Sequence, residues 1–340
     1  MVYRYRPMQP RDVRECVQLL AEHPVLGPRY GSTIADVGTA WLRLLGQEAL
    51  LTSVFEEVEG GGTRVWGVGV SAVVREEVLT ELKKPPLQWT GPELTKRVMS
   101  GNSPLLSDRE LREQNVRGGL TLIVWAGYMR AGDEKRPELM QQIMRGFLET
   151  HRGYLWRELI SHQQESPERL EWTLHSGARV WDAQRGQYLE NPGEDLATIA
   201  REPHLVGVTR EIARTRLSAW VDVLFEHELP RFGVSHAEQQ LLLAVLGGSG
   251  MTDPELAKVL HVSVATVKKM WASIYRRVME REPGILPDCT WLEKGLSERG
   301  KEKRRRLLTY LREHPEELRP VPNGQRASTQ NAATNQRRAS

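Results

Sequence analysis

Ser263, Thr266, Lys268 and Lys269 close the stretch DPELAKVLHVSVATVKKMW (253–271). Hydroxyls and free N–H groups at a helix start suit a phosphate, and ammoniums one turn further on can reach phosphates or base edges. This is recognition chemistry and not bond breaking. Lys268, Lys269 and Ala272 lie opposite or beside Val267 and Ile274, so the cations face away from the apolar side. Downstream, six of the eight residues 299–306 are basic and lead into Leu307, Leu308 and Leu311. A helix anchored by those leucines would bring Arg304, Arg305 and Arg306 to a polyanion backbone. Six phosphate contacts of this kind predict a log–log salt slope of about −5. Surface lysines on a plain helical hairpin, or a solvated charged helix, are the ordinary alternatives.

Such residues need two helices and a hinge to position them. With Ala257 as the small residue at the closest approach, Leu256, Leu260, Val262, Val267 and Met270 fall where the helices must touch. Thr252 or Asp253 can cap the first helix, with Pro254 tolerated in its first turn, and Ser263 can cap the second. His261 occupies the hinge, where glycine is usual; histidine is enriched among non-glycine residues at positive φ. Trp271 is expected to pack in the core or at an interface.

The longer stretch SHAEQQLLLAVLGGSGMTDPELAKVLHVSVATVKKMWASIYRRV (235–278) resembles the LuxR-type (GerE-like) helix-turn-helix. The resemblance rests on Glu238, Gly250, Glu255-Leu256-Ala257, Ser263, Thr266-Val267-Lys268 and Ile274-Tyr275-Arg276-Arg277, and covers about a fifth of the chain. It implies an all-α, four-helix domain whose third helix enters the major groove of double-stranded DNA, as part of a homodimer. Arg276 then joins the DNA-facing residues; RNA polymerase is the partner that a rival reading, a sigma-region-like interaction module, would bring.

Composition agrees with a two-part chain. Its 340 residues suffice for about two domains, and 39% hydrophobic with 27% charged residues describes a soluble globular protein. No apolar run approaches the ~18 residues of a membrane span, and the first residues contain no signal-peptide core. The two cysteines, Cys16 and Cys289, are far apart, which points to a reducing, cytoplasmic setting without disulfide or zinc knuckle. The net charge is +3, yet residues 231–340 carry 19 Lys and Arg against 12 Asp and Glu, and the remainder 28 against 32. Basic charge concentrated in the last third suggests a polyanionic partner for it. Nine histidines without H-x-x-x-H pairing, and the absence of a P-loop or dinucleotide fingerprint, lead us to expect neither metal nor cofactor.

The first part alternates strands and helices, which predicts an α/β domain over 1–190. VYRYRP, ALLTSVFEEV, TRVWGVGVSAVV, GGLTLIVWAGYM and YLWRELISH read as strands. PRDVRECVQLLAEH, RPELMQQIMRGFLETH and SPERLEWTLHSGA read as helices, the last capped by Ser166. The stretch KKPPLQWTGPELTKRVMSGNSPLLSD reads as a loop with a short helix. Residues 191–232 read as a helical linker carrying Leu217, Trp220, Val221 and Leu224. The helix-turn-helix domain with its basic final helix fills 233–318, and 319–340 is too polar to order itself.

The opening YRYRPMQPRDVRECVQLL and the closing LHSGARVW resemble the ends of GCN5-related N-acetyltransferases. The resemblance implies a mixed sheet with helices and an acetyl-CoA pyrophosphate loop at YMRAGDEKRPELM. Arg130 and Gly132 are there, but the repeated glycine spacing is missing, and Asp133 and Glu134 stand where phosphates would lie. The expectation is a degenerate acetyltransferase-like domain used for sensing or dimerisation. Glu56 or Glu57 as general bases and as solvent-facing hairpin carboxylates are equally good readings, so no catalytic residue is assigned. The expected function is a cytoplasmic transcription regulator. Its rivals are an acetyl-CoA-dependent N-acetyltransferase with a DNA-binding tail and a sigma-region-like RNA polymerase interaction protein.

Overall fold

The run LTLIVWAGYM (Leu120–Met129) is buried along almost its whole length, as a strand covered on both faces must be. In the computed structural model it lies in the middle of an eight-stranded mixed sheet. The structure describes all residues except 1, 60–61, 131, 134–135, 162–165, 191–192, 194, 216–219, 248–250, 287–295 and 323–340. The chain forms two compact units, Met1–Glu226 and His227–Ser340.

In the first unit, β1 (Val2–Arg6) is followed by α1 (Val13–Glu22), α2 (Leu26–Tyr30) and α3 (Ile34–Leu44), then by β2 (Leu50–Glu59) and β3 (Gly62–Val73). Helices α4 (Glu76–Leu82), α5 (Thr90–Met99) and α6 (Asp108–Arg117) precede β4 (Leu120–Met129). Next come α7 (Pro137–His151), β5 (Trp156–Ser161), α8 (Pro167–His175), β6 (Arg179–Asp182), β7 (Gln187–Leu189), α9 (Leu196–Arg201), β8 (Val206–Thr209) and α10 (Arg210–Thr215). The strand order is β1-β2-β3-β4-β5-β8-β6-β7. Among the described residues only β4 and β5 pair in parallel, with α7 as the crossover between them.

The short helix expected within 83–108 is α5, whose Leu94 and Val98 are buried in the core. Two features of this unit depart from the sequence expectation. The boundary expected at 190 falls inside the unit. Within the segment expected to be a helical linker, β8 inserts between β5 and β6, with Val206 and Val208 buried. Four residues are too few for periodicity to separate strand from helix, and the non-local pairing decided. Val221 and Leu224 of that segment pack into the first unit's core, whereas Leu217 lies outside the described residues.

The second unit contains α11 (His236–Gly247), α12 (Asp253–Val259), α13 (Val264–Arg281) and α14 (Leu296–Glu313). Their apolar residues, among them Leu241, Leu256, Val267, Ile274, Leu307 and Leu311, form one buried cluster. The tail expected to begin at 319 is attached at its start, since Gln239 Nε2 donates to the Arg319 carbonyl (2.6 Å). Residues 323–340 lie outside the described part. No helix among the described residues is long and apolar enough to cross a membrane.

Candidate functional sites

Both helix starts around the hinge are set locally. The Thr252 backbone N–H donates to Glu255 Oε2 (2.7 Å), and this bond with that from the Thr252 hydroxyl lowers the Glu255 pKa. Ser263 Oγ accepts the Thr266 N–H (3.1 Å) and lies 2.8 Å from the Thr266 hydroxyl. Between the helices, His261 sits at φ 52°, alone among the described non-glycine residues in that region. The Val262 N–H donates back to the Ala257 carbonyl (3.0 Å), which closes the turn.

Helix α13 is divided lengthwise. Val267, Trp271, Ile274 and Val278 are buried, and Lys268, Lys269, Ala272 and Arg276 are exposed. Intervals of three and four keep each set on one side. Among the described residues no carboxylate pairs with Lys268 or Lys269, whereas Arg276 lies 3.4 Å from Glu280. Arg277 turns inward to Glu238 (2.8 Å) and to the Gly233 carbonyl (2.7 Å). Trp271 is core: it stacks on Tyr275 with centroids 5.6 Å apart.

The three arginines of α14 are not equivalent, which corrects their expected shared role. Arg304 reaches Asp253 (3.3 Å) and the Met251 carbonyl (3.1 Å) and covers the Trp271 ring. It holds α14 to the other helices, so its charge is not presented outward. Arg305 and Arg306 remain on the surface, but both bind Glu302 (2.7 and 2.8 Å), whose carboxyl they hold down at about 2. A tertiary contact engages Arg304, and local pairs within α14 engage Arg305 and Arg306.

A second site lies in the first unit. The parallel ladder of β4 and β5 ends at Ile123–Ile160, yet β4 continues to Met129. Beyond that point opens a cavity of about 720 Å³, within the ~300–1,000 Å³ usual for small-molecule sites. Its floor is kept low by Ser53, Gly69, Ser71 and Ala126 and continues over Leu159 and Val208, and its roof is the Met140, Ile143, Met144 and Phe147 stripe of α7. That stripe is only half-buried although it faces the sheet. The helix lies against the sheet at Gly146, where a Cβ would meet the Phe55 ring at 2.6 Å, and at Thr150, whose hydroxyl is 3.0 Å from that of Ser53. The sequence signal was the alternation Gly67, Gly69, Ser71. Gly67 abuts Phe55, whereas Gly69 lines the cavity.

The acidic residues around this unit are paired. Glu56 is 2% exposed and so does not face solvent. Burial opposes its ionisation, but Arg6 (2.5 Å) and Arg4 (2.7 Å) outweigh burial and lower its pKa. Glu57 is also buried, against Arg64 (3.1 Å). A hairpin edge looks exposed in sequence because the arginines that cover it come from β1 and from across the hairpin. Asp133 is buried between Arg64 (3.0 Å) and Arg136 (3.5 Å), and Glu134 lies outside the described residues. Burial pushes the Cys16 thiol up to about 12, so it is no nucleophile near neutral pH, and Cys289 is not among the described residues. Among the described residues no group of three His, Cys, Asp or Glu is placed to hold a metal ion.

No protein-family model matches the chain, and no curated protein matches it.

Proposed function

We propose that the protein is a cytoplasmic transcription regulator that binds double-stranded DNA as a homodimer, with α12, the His261 turn and α13 acting as an all-α, LuxR-type helix-turn-helix. One observation carries the reading: the lengthwise division of α13 into a buried apolar face and an exposed face bearing Lys268, Lys269, Ala272 and Arg276. A helix that fills a major groove needs such a face, with cations such as Lys268 and Lys269, with which no described carboxylate pairs, and small residues that admit the groove walls. Ser263 and Thr266 fix the start of the helix, and Arg305 and Arg306 add charge from α14. Arg304 is not assigned to DNA. The test is a gel shift with genomic fragments, using the intact chain beside the Lys268→Ala, Lys269→Ala double variant. Unchanged retention in the double variant overturns the reading. Binding to RNA polymerase without binding to duplex DNA would replace it with a protein-interaction role.

A second reading, acyl transfer from acetyl-CoA, is favoured by the parting of β4 from β5 over the cavity. The charge objection to it is weaker than the sequence suggested, because Arg64 and Arg136 neutralise Asp133. Calorimetry of the full chain with acetyl-CoA tests it, and absence of heat at millimolar ligand rejects it.

A further inference from the structure

We infer that the cavity of the first unit binds an elongated aliphatic acyl chain, carried either as a free fatty acid or as a CoA thioester. The inference is independent of the DNA reading and deepens the second reading by naming the acyl class.

The first argument is shape. The floor crosses five adjacent strands, from Ser53 on β2 to Val208 on β8. At the ~4.8 Å spacing of neighbouring strands that is a run of about 19 Å. A volume of about 720 Å³ drawn out over such a length fits a chain and exceeds what a two-carbon acetyl group fills.

The second argument is the distribution of polarity. At the β2–β4 end, Met140, Ile143 and Met144 of α7 face Phe55 and Met129. Methionines are flexible and polarizable, so they close around chains of different length without a fixed shape. At the β5–α8 end the lining turns polar, with Ser161, Ser166, Glu168 and Arg169. Ser53 and Thr150, on the β2 side, bond each other (3.0 Å), and the charged side chains Glu168 and Arg169 lie toward α8, which matches an amphiphile: tail under α7, carbonyl head toward α8.

The third argument is that the cavity belongs to the fold. The half-buried stripe of α7 leaves apolar surface facing the cavity, while the helix touches the sheet at Gly146, against Phe55, and at Thr150, whose hydroxyl lies 3.0 Å from that of Ser53. A bound chain would remove that surface from water, and each methylene buried should raise affinity about fourfold.

The test uses the full chain and a series of hexanoic, octanoic, decanoic and dodecanoic acids, with acetyl-CoA and dodecanoyl-CoA beside them, read by calorimetry. Affinity is expected to rise about fourfold per methylene across the series. Gly69→Val should fill the floor, since a Cβ there meets only Ser53 at 3.8 Å and Phe55 at 4.0 Å. It is expected to weaken dodecanoyl binding by about tenfold or more and hexanoyl binding by less than about twofold. Met144→Trp fills the space from the helix side and carries the same expectation if Gly69→Val does not fold. Affinity that ignores chain length, or that neither variant changes, overturns the inference. Equal binding of acetyl-CoA and dodecanoyl-CoA also overturns it while leaving the second reading standing. Binding of dodecanoic acid without either thioester supports the inference and removes the second reading.

Discussion

The guanidinium of Arg304 lies 4.6 Å from the centroid of the Trp271 ring and ion-pairs with Asp253 at 3.3 Å. One basic residue of α14 thus joins the start of α12 to the buried side of α13. Arg304→Ala should lower the stability of the second unit by about 1–3 kcal/mol, from the lost cation–π contact and the charged hydrogen bonds. Urea denaturation checks this. The salt slope of DNA binding should stay the same in this variant.

Arg305 and Arg306 should behave in the opposite way. Changing both to Ala should leave the urea midpoint within about 0.5 kcal/mol of the parent, as surface substitutions usually do. The salt slope of DNA binding should fall by up to about 2, one phosphate contact for each arginine. A slope that does not change would place α14 away from the DNA backbone.

Lys268→Ala with Lys269→Ala should flatten the slope by about 2 and abolish discrimination between specific and random duplexes. Thermal unfolding should be unaffected, since both side chains are exposed. Coincident loss of binding and of stability would assign the lysines a structural role.

His261 occupies the left-handed region, which costs a non-glycine residue roughly 1–2 kcal/mol. His261→Gly removes that strain but loosens the unfolded chain by ~0.5–1 kcal/mol. The net expectation is a gain of about 0.5–1 kcal/mol, read from chemical denaturation. A loss instead would show that the imidazole makes a favourable interaction at the turn.

Arg6 binds both Asp12 (2.5 Å) and Glu56 (2.5 Å) in the first unit. The hydrogen bond from Arg6 lowers the Asp12 pKa against the opposing effect of burial; at Glu56 burial raises the pKa, but Arg6 and Arg4 together lower it. Carboxyls depressed in the folded state stabilise it above their unfolded values of about 3.9 and 4.3, and that stability is lost as pH falls through the lower folded values. Acid unfolding of the first unit should therefore set in below about pH 4. Glu56→Gln should weaken this dependence and cost about 1–3 kcal/mol at neutral pH, because it leaves the half-buried Arg6 guanidinium with a weaker partner, while the exposed Arg4 turns to water. Urea titrations at pH 3, 5 and 7 measure both effects.

Local chemistry was legible in the residues themselves. The caps at Thr252, Ser263 and Ser166, the heptad-like stripe of α7, and the buried strand LTLIVWAGYM depend on neighbours a few positions away, so spacing alone specifies them. The exposed face of α13 follows equally from where its apolar residues fall.

Tertiary structure decided what depends on partners distant in the chain. It turned Arg304 inward while leaving Arg305 and Arg306 outside, though the three are adjacent and chemically identical. It drew β8 into the sheet beyond the expected boundary, and covered Glu56 with arginines 50 and 52 residues away. The cavity is the clearest case. Gly69, Ser71 and Ser53 have the same small side chains whether they permit close packing or leave space. Only the height at which Gly146 lets α7 rest on Phe55, and the parting of β4 from β5, make a void of their floor.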